Sequence, residues 1–252
     1  MESCNVEKEG CVDELVKELV AIFRSGVDAT DKCPSIEVDV SKVTHVLQKF
    51  AASAISNPKA WEKYVYWSEV HYTRNLIFSC DDFEIMLLCW NVNQASRIHN
   101  HASSNCWLSV LSGLVSEQVY KPLSQLDDGT LSLTKPFDAS SSSSSSSSSQ
   151  NSEHKCPLLV LLSEVVHSPG AVTYINDSIA LHRVSASRVS STHVESSSVA
   201  SNTGCHGRSV TLHLYAPPIH RVKIFEPSSQ DSSSGNVYER TPGFFSKYGM
   251  KV

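Results

Sequence analysis

The sequence predicts an α+β protein, in which a small helical segment at the N-terminus precedes a β-sandwich or β-barrel. In the first third of the chain, apolar residues recur with a period close to 3.6, which is typical of amphipathic helices. From about Val70 onward, short β-rich segments follow one another at roughly regular spacing. Many short strands favour a sandwich or barrel over an alternating α/β fold.

Three helices are predicted in residues 1–69. Residues 12–23 place apolar side chains on one face of the first helix, and residues 43–50 do the same for the second. A third helix is predicted to start at Asn57 and Pro58, because asparagine is a favourable N-cap and proline is favoured at the first helical position.

Six strands are predicted in residues 70–252, which we expect to form the barrel of a single domain spanning residues 1–252. The strands comprise residues 70–78, 83–90, 106–111, 114–120, 171–175 and 209–215. Between two of them, the tetrapeptide from Leu111 to Leu114, which contains Gly113, predicts a tight hairpin turn.

Two Ser-rich stretches, residues 124–156 and 185–207, are predicted to be disordered insertions. The first contains an unbroken serine run from Ser140 to Ser149, which offers almost no apolar surface to offset the entropy of the chain. Loop closure becomes only slowly more costly with length, so a β scaffold tolerates both insertions.

Composition excludes several classes of function. The 252-residue chain has a net charge of -5 and no cluster of Lys and Arg, so a nucleic-acid partner is not expected. Its apolar runs fall short of the roughly 20 residues that span a bilayer, and its polar N-terminus is unlike a signal peptide. The eight cysteines include no pair at C-x-x-C spacing. We therefore expect a cytoplasmic monomer with reduced cysteines and no membrane partner.

Three of the eleven histidines are candidate metal ligands. His99 and His101 are two residues apart beside a predicted strand, so both imidazoles can point to one face and reach the same metal ion. His182 follows a strand-like segment farther along the chain and is a candidate third ligand. From spacing alone, two surface histidines at positions 99 and 101 are an equally good interpretation.

The spacing of these residues resembles that of a known superfamily. His99, His101 and Gly113, with His182 downstream, resemble the two metal motifs of the cupins, except that Cys106 replaces the usual glutamate. This replacement makes the sequence similar to the cysteine dioxygenase family. Further similar segments follow in order: residues 72–76, 86–90, 98–101, 174–179, 181–184, 212–218 and 245–249. The resemblance covers most of the chain outside the two Ser-rich insertions.

The resemblance implies a cupin-type β-barrel, or jelly roll, with one mononuclear Fe(II) per chain bound by His99, His101 and His182. It implies an enzyme that oxidises L-cysteine with O2 to cysteine sulfinic acid, in cysteine catabolism leading to taurine and sulfate. Imidazole nitrogen suits iron, and open coordination positions are what an oxygenase needs. Three neutral ligands leave the iron its full positive charge, which favours an anionic thiolate.

The resemblance also implies roles for residues near the metal. Arg74 is the candidate to bind the substrate carboxylate through a two-pronged hydrogen bond, although the sequence alone is equally compatible with a surface salt bridge. Tyr72 would add a phenol hydrogen bond. Tyr215 would hydrogen-bond near the reacting oxygen or the carboxylate, and His213 would orient it, with Thr211 completing the polar relay.

The family also implies a covalent cross-link. Its cysteine at the position of Cys106 forms a thioether with the tyrosine at the position of Tyr215, and this chain has both residues. We expect the same bond here, which would hold the phenol rigidly and remove a free thiol beside the iron. A buried, unmodified Cys106 is the alternative.

Two other functions remain open from the sequence. One is a cupin dioxygenase of another small thiol, such as cysteamine or 3-mercaptopropionate, and the other is a non-catalytic cupin that binds a metal or a partner. An amine-only substrate has no use for the guanidinium of Arg74. A 3-mercaptopropionate enzyme is not expected to need the Cys106–Tyr215 pair.

Overall fold

The structure is a computed structural model that describes residues 12–25, 38–126, 155–187, 207–228 and 235–252. The two predicted Ser-rich insertions lie mostly outside these ranges, so their disorder stays a prediction. Residues 185–187, which were predicted to start the second insertion, instead complete a strand.

Two helices form as the apolar periodicity predicts, α1 (Val12–Ser25) and α2 (Val40–Ser56). The side chain of Asp39 caps α2 by accepting a hydrogen bond from the backbone N–H of Lys42 at 3.0 Å. Neither helix is long and apolar enough to cross a membrane.

The predicted third helix is wrong. Pro58 does start a helical turn, but Pro58–Ala60 and Glu62–Tyr64 form two separate 3₁₀ turns, and the side chain of Asn57 makes no capping hydrogen bond. Trp61, between these turns, is buried and donates its indole N–H to the carbonyl of Ala54 at 3.0 Å. This contact folds the segment back against α2, which a continuing helix would prevent.

The described residues contain thirteen strands. They are β1 (Thr73–Ser79), β2 (Glu84–Trp90), β3 (Ile98–His99), β4 (Asn105–Ser112), β5 (Leu114–Pro122), β6 (Leu159–His167), β7 (Val172–Ile175), β8 (Leu181–Ser187), β9 (Ser209–Ala216), β10 (Val222–Glu226), β11 (Asn236–Arg240), β12 (Ser246–Lys247) and β13 (Met250–Lys251). The six predicted strands are present with shifted ends, whereas β3, β6, β8 and the C-terminal strands β10 to β13 were not among them.

The strands form two sheets. The first has the order β13-β12-β1-β2-β9-β4-β7, and the second has the order β11-β10-β3-β8-β5-β6. Alternate side chains of the first sheet enter two different cores: Leu87 and Leu212 pack against the helices, whereas Leu88 and Leu108 pack against the second sheet. Helices on one face of a largely antiparallel sheet pair confirm the predicted α+β class.

The predicted hairpin at Gly113 is wrong. The strands on either side of it, β4 and β5, lie in different sheets and do not pair with each other. Gly113 has a φ of 74°, in the left-handed region that favours glycine. Its backbone therefore turns the chain from one sheet to the other, directly beside the start of β9.

Replacement of Gly113 by alanine should lower the free energy of unfolding by at least about 1–3 kcal/mol. The new Cβ would collide with the carbonyl oxygen of Arg208 as well as force a left-handed backbone on alanine. Urea denaturation measures the change. Gly243→Ala is the matched control, because a Cβ there meets nothing within 4 Å. Equal stability of the two variants would contradict the strained crossover.

Candidate active site

Three histidines converge between the sheets. His99 ends β3 and pairs in register with His182 of β8, while His101 lies just beyond β3. One ring nitrogen from each histidine lies within 4.8 Å of the others, and Nε2 of His101 is 3.1 Å from Nε2 of His182. The structure therefore brings together the three predicted ligands, and the interpretation of His99 and His101 as scattered surface residues is wrong.

Hydrogen bonds on the outer side of two rings orient them. Nδ1 of His99 lies 2.8 Å from the carbonyl oxygen of Arg97, and Nδ1 of His182 lies 2.7 Å from Oε1 of Glu117. Because a carbonyl and a carboxylate only accept hydrogen bonds, both Nδ1 atoms carry the proton and both Nε2 lone pairs face inward. Nδ1 of His101 is buried without a hydrogen-bond partner in the described chain.

The rings of His99 and His101 are poised in their neutral form. Burial, followed by the proximity of His182, lowers the pKa of His99 to about 3, and the same causes hold the pKa of His101 well below its ordinary value. Neutral imidazole is the form that binds a metal. The short contact between the Nε2 atoms of His101 and His182 fits a cation shared by the three rings.

The loop that carries His101 is held by Asp177. Its carboxylate accepts hydrogen bonds from the backbone N–H groups of His101 (2.6 Å) and Ser103 (2.9 Å), and from the side-chain amide of Asn100 (3.1 Å). Ser103 has a φ of 67°, so this loop adopts a left-handed turn that the carboxylate stabilises. Asn100 thus points away from the three histidines.

Arg74 on β1 is not a surface arginine in a salt bridge. Its Nε and Nη2 atoms are buried and lack a hydrogen-bond partner in the part of the chain that is described. Its guanidinium carbon lies 5.8 Å from the ring centroid of Tyr215 and 5.6 Å from that of Phe244. Buried, unpaired donors are costly unless a ligand satisfies them, so the side chain is arranged to donate to the acceptor atoms of a ligand.

Tyr215 belongs to a buried chain of polar contacts on β9. Its hydroxyl lies 3.2 Å from Nδ1 of His213, and Nε2 of His213 lies 2.9 Å from Oγ1 of Thr211. Trp90, which sequence reasoning did not single out, donates its indole N–H to Thr211 at 2.9 Å. The polar face predicted for β9 therefore points between the sheets. Tyr72 joins this group by stacking on Trp90, with 4.5 Å between ring centroids.

Cys106 and Tyr215 face each other across adjacent strands. They are register partners in the β4–β9 ladder, and both side chains are buried. Burial raises the pKa of the Cys106 thiol and of the Tyr215 phenol well above their ordinary values. The tyrosine ring also lies next to the histidines, with 6.4 Å between its centroid and that of His101.

Glu117, Asp177, Trp90 and Phe244 were missed by sequence reasoning. Each acts through a neighbour that is distant in sequence, so no local pattern marks it. The clearest available signal was Asp177, whose Asn-Asp-Ser tripeptide directly precedes the segment leading to His182.

Residues 1–228 match the family profile described as cysteine dioxygenase type I. The chain belongs to the cysteine dioxygenase type I family. The prediction of an enzyme, an oxidoreductase of the dioxygenase class, is thereby confirmed, and a non-catalytic cupin is disfavoured.

Curated relatives carry the same family name. Cysteine dioxygenase type 1 of Danio rerio is 29% identical over 254 residues, which cover 100% of this chain and 94% of the relative. The Rattus norvegicus protein is 29% identical over 217 residues, with 86% and 82% covered. The Homo sapiens protein is 27% identical over 253 residues, with 100% and 94% covered.

Solved structures similar to this chain include two that share little sequence with it. One is a protein with a double-stranded β-helix domain from Klebsiella pneumoniae, with 12% identity, 62% of this chain and 85% of that chain covered, and a TM-score of 0.33. The other is a Cupin 2 conserved barrel domain protein from Leptotrichia buccalis, with 9% identity, coverages of 62% and 46%, and a TM-score of 0.34. The cupin-type fold itself follows from the family and from the two facing sheets.

Proposed function

We propose that this cysteine dioxygenase family member oxidises L-cysteine with O2 to cysteine sulfinic acid at one Fe(II) held by His99, His101 and His182. The observation that carries the proposal is the pairing of this histidine cluster with the unsatisfied guanidinium of Arg74. Tyr215 links the two, because its ring lies 6.4 Å from that of His101 and 5.8 Å from Arg74. A metal site beside a carboxylate site fits a small thiol that also carries a carboxylate.

The donor set fits Fe(II). The cluster offers three imidazole nitrogens within 4.8 Å of one another, and no carboxylate of the described residues belongs to it. Fe(II), when bound, supplies a Lewis-acidic and redox-active centre that stabilises a thiolate and reacts with O2. The sulfinic acid product corresponds to two steps of the cysteine oxidation ladder.

Arg74 orients the substrate. Its two buried, unpaired nitrogens are free to take a carboxylate in the paired geometry that a guanidinium favours. Low local dielectric strengthens this ion pair, and the flanking rings of Tyr215 and Phe244 restrict the guanidinium to one position. Tyr72, stacked on Trp90, adds a phenol at the same interior face.

The contacts of Thr211 direct the proton of Tyr215. The indole N–H of Trp90 can only donate, so it occupies one lone pair of the Thr211 hydroxyl oxygen. The hydroxyl hydrogen of Thr211 is then able to donate to Nε2 of His213. In that tautomer Nδ1–H of His213 donates to the Tyr215 oxygen. The phenol proton is left to point toward the substrate, where it can hydrogen-bond to a carboxylate or reacting oxygen.

The proposed thioether joins Sγ of Cys106 to the ring of Tyr215. Its formation breaks the S–H bond and one ring C–H bond, and O2 takes up the two hydrogen atoms and is reduced to hydrogen peroxide. Register pairing and burial of both residues support the bond, because directly opposed side chains of adjacent strands are close neighbours. The bond would fix the phenol in the position that the His213 contact already favours.

Peptide mapping after turnover with cysteine and O2 tests the cross-link. We expect a linked Cys106–Tyr215 peptide pair that is two hydrogen atoms lighter than the separate peptides. Alkylation follows denaturation, because burial raises the pKa of the control thiol Cys89 to about 11 and protects it in the native state. Alkylated Cys106 and an intact tyrosine peptide, beside alkylated Cys89, would reject the bond.

Purified protein loaded anaerobically with Fe(II) tests the function. We expect one sulfinate formed per O2 consumed with L-cysteine, and much slower turnover of cysteamine and 3-mercaptopropionate, which lack one of the two charged groups. A preference for either analogue would overturn the choice of substrate. The predictions of a cytoplasmic monomer, of a role in forming taurine and sulfate, and of no nucleic-acid or membrane partner remain predictions.

A further inference from the structure

A buried carboxylate lies directly behind one of the three histidines. Glu117 is only 6% exposed, on the interior face of β5 between its neighbours β8 and β6. Its Oε1 is 2.7 Å from Nδ1 of His182, and its Oε2 is 3.2 Å from Nε2 of His167 at the end of β6. Both oxygens therefore bind an imidazole, and the three side chains form one continuous line from the strand edge to the metal cluster.

Strand register produces this line. Glu117 pairs with Val184 of β8 and with Val165 of β6. His182 lies two residues from Val184, and His167 lies two residues from Val165, so each is a diagonal neighbour of Glu117 on the same face. The contact thus depends on the backbone ladders of three strands rather than on a flexible loop.

Each oxygen of the carboxylate faces one imidazole nitrogen, Nδ1 of His182 on one side and Nε2 of His167 on the other. A carboxylate oxygen accepts the hydrogen bond, so the proton of His182 lies on Nδ1 and the lone pair on Nε2.

The three histidines differ in the group that faces Nδ1 of each ring. His99 is bonded to the backbone carbonyl of Arg97, and Nδ1 of His101 is 3.8 Å from Oδ1 of Asp177, too far for a hydrogen bond. Of the three, His182 alone is hydrogen-bonded through its ring to a carboxylate. Such a partner raises the basicity of a ligating imidazole and fixes its orientation.

We propose that Glu117, anchored on its far oxygen by His167, is the positioning residue that sets the tautomer and ring orientation of His182 for metal binding. This inference rests on the proposed three-histidine metal site. Glu117 supplies an outer negative charge to a site whose ligands are all neutral, without occupying a coordination position. His167 restrains the carboxylate from the strand edge, where its own side chain is 15% exposed.

Metal titration of the full-length protein, stripped by chelator and refilled, tests the proposal. Co(II) is the probe, because its visible absorption reports ligand geometry and a competing chelator reports affinity. We expect Glu117→Gln to weaken Co(II) binding by about 10- to 100-fold and to alter the absorption. His167→Leu should weaken binding by less, because Oε1 of Glu117 still accepts from His182.

Glu164→Gln is the matched control, since Glu164 is exposed on β6 in the same sheet and its carboxylate accepts hydrogen bonds from Ser116 and Gln118, not from a histidine. It should bind Co(II) like the unaltered chain. Thermal unfolding of the metal-free variants shows whether a weaker Co(II) affinity comes from lost positioning or from lost fold. If Glu117→Gln does not fold, the Co(II) affinity of His167→Leu tests the proposal. Unchanged affinity and absorption in a folded Glu117→Gln would overturn the inference alone. Failure of the unaltered chain to bind one Co(II) would overturn the metal site as well.

Discussion

Replacement of His101 by alanine is expected to lower Fe(II) affinity by more than about 100-fold and to remove detectable cysteine oxidation. The side chain is fully buried, and its Nε2 lies 3.1 Å from Nε2 of His182, so nothing else can fill its place at the cluster. Loss of an outer partner of a ligand already costs about 10- to 100-fold, and loss of the ligand itself costs more. Anaerobic Fe(II) titration and sulfinate production measure the two effects.

His45→Ala is the control for that variant, because His45 is exposed on α2 and lies outside the barrel interior. It should retain both iron and activity. An active His101→Ala that binds iron with unchanged affinity would mean that the three rings do not share a metal. The proposed function would then lose its basis.

Replacement of Arg74 by alanine should reduce kcat/KM for L-cysteine on the order of 100-fold or more. The substitution removes the buried guanidinium that pairs with the substrate carboxylate, and the carboxylate is left without a partner. Arg74→Lys should recover only part of this loss, since an ammonium group cannot make the two-pronged contact. Steady-state oxygen uptake with cysteine measures the effect.

Cysteamine makes the Arg74 experiment specific. It lacks the carboxylate, so its slow turnover should change little in Arg74→Ala while that of cysteine falls sharply. Arg221→Ala serves as a control, because Arg221 is exposed and pairs with Glu239 on the surface. Equal losses with cysteine and cysteamine would show that Arg74 supports the fold of the site and does not recognise the carboxylate.

Local patterns in the sequence were sufficient for much of the framework. The period of 3.6 predicted α1 and α2, because each has to bury one apolar stripe against the first sheet. Alternation in β9 predicted that Thr211, His213 and Tyr215 share a face, since successive side chains of a strand point to opposite sides. The same geometry predicted that His99 and His101 approach one metal.

Connections between elements were less predictable. The sequence around Gly113 predicts a hairpin turn, yet this residue passes the chain from one sheet to the other. Turn chemistry reports the local backbone conformation, but whether the flanking strands pair depends on partners far away in sequence. β6 was missed because its residues, Leu159 to His167, show no alternation of polar and apolar types.

The sequence by itself determined the residue types that can hold a metal and bind a carboxylate, and the strands that carry Arg74 and Tyr215. Tertiary structure decided which of them meet: it placed Glu117 between His182 and His167, Asp177 against the loop of His101, and Arg74 in the interior without a partner. The physical reason is that side-chain periodicity is a property of one strand, whereas a hydrogen bond between strands depends on their register and on the packing of both sheets.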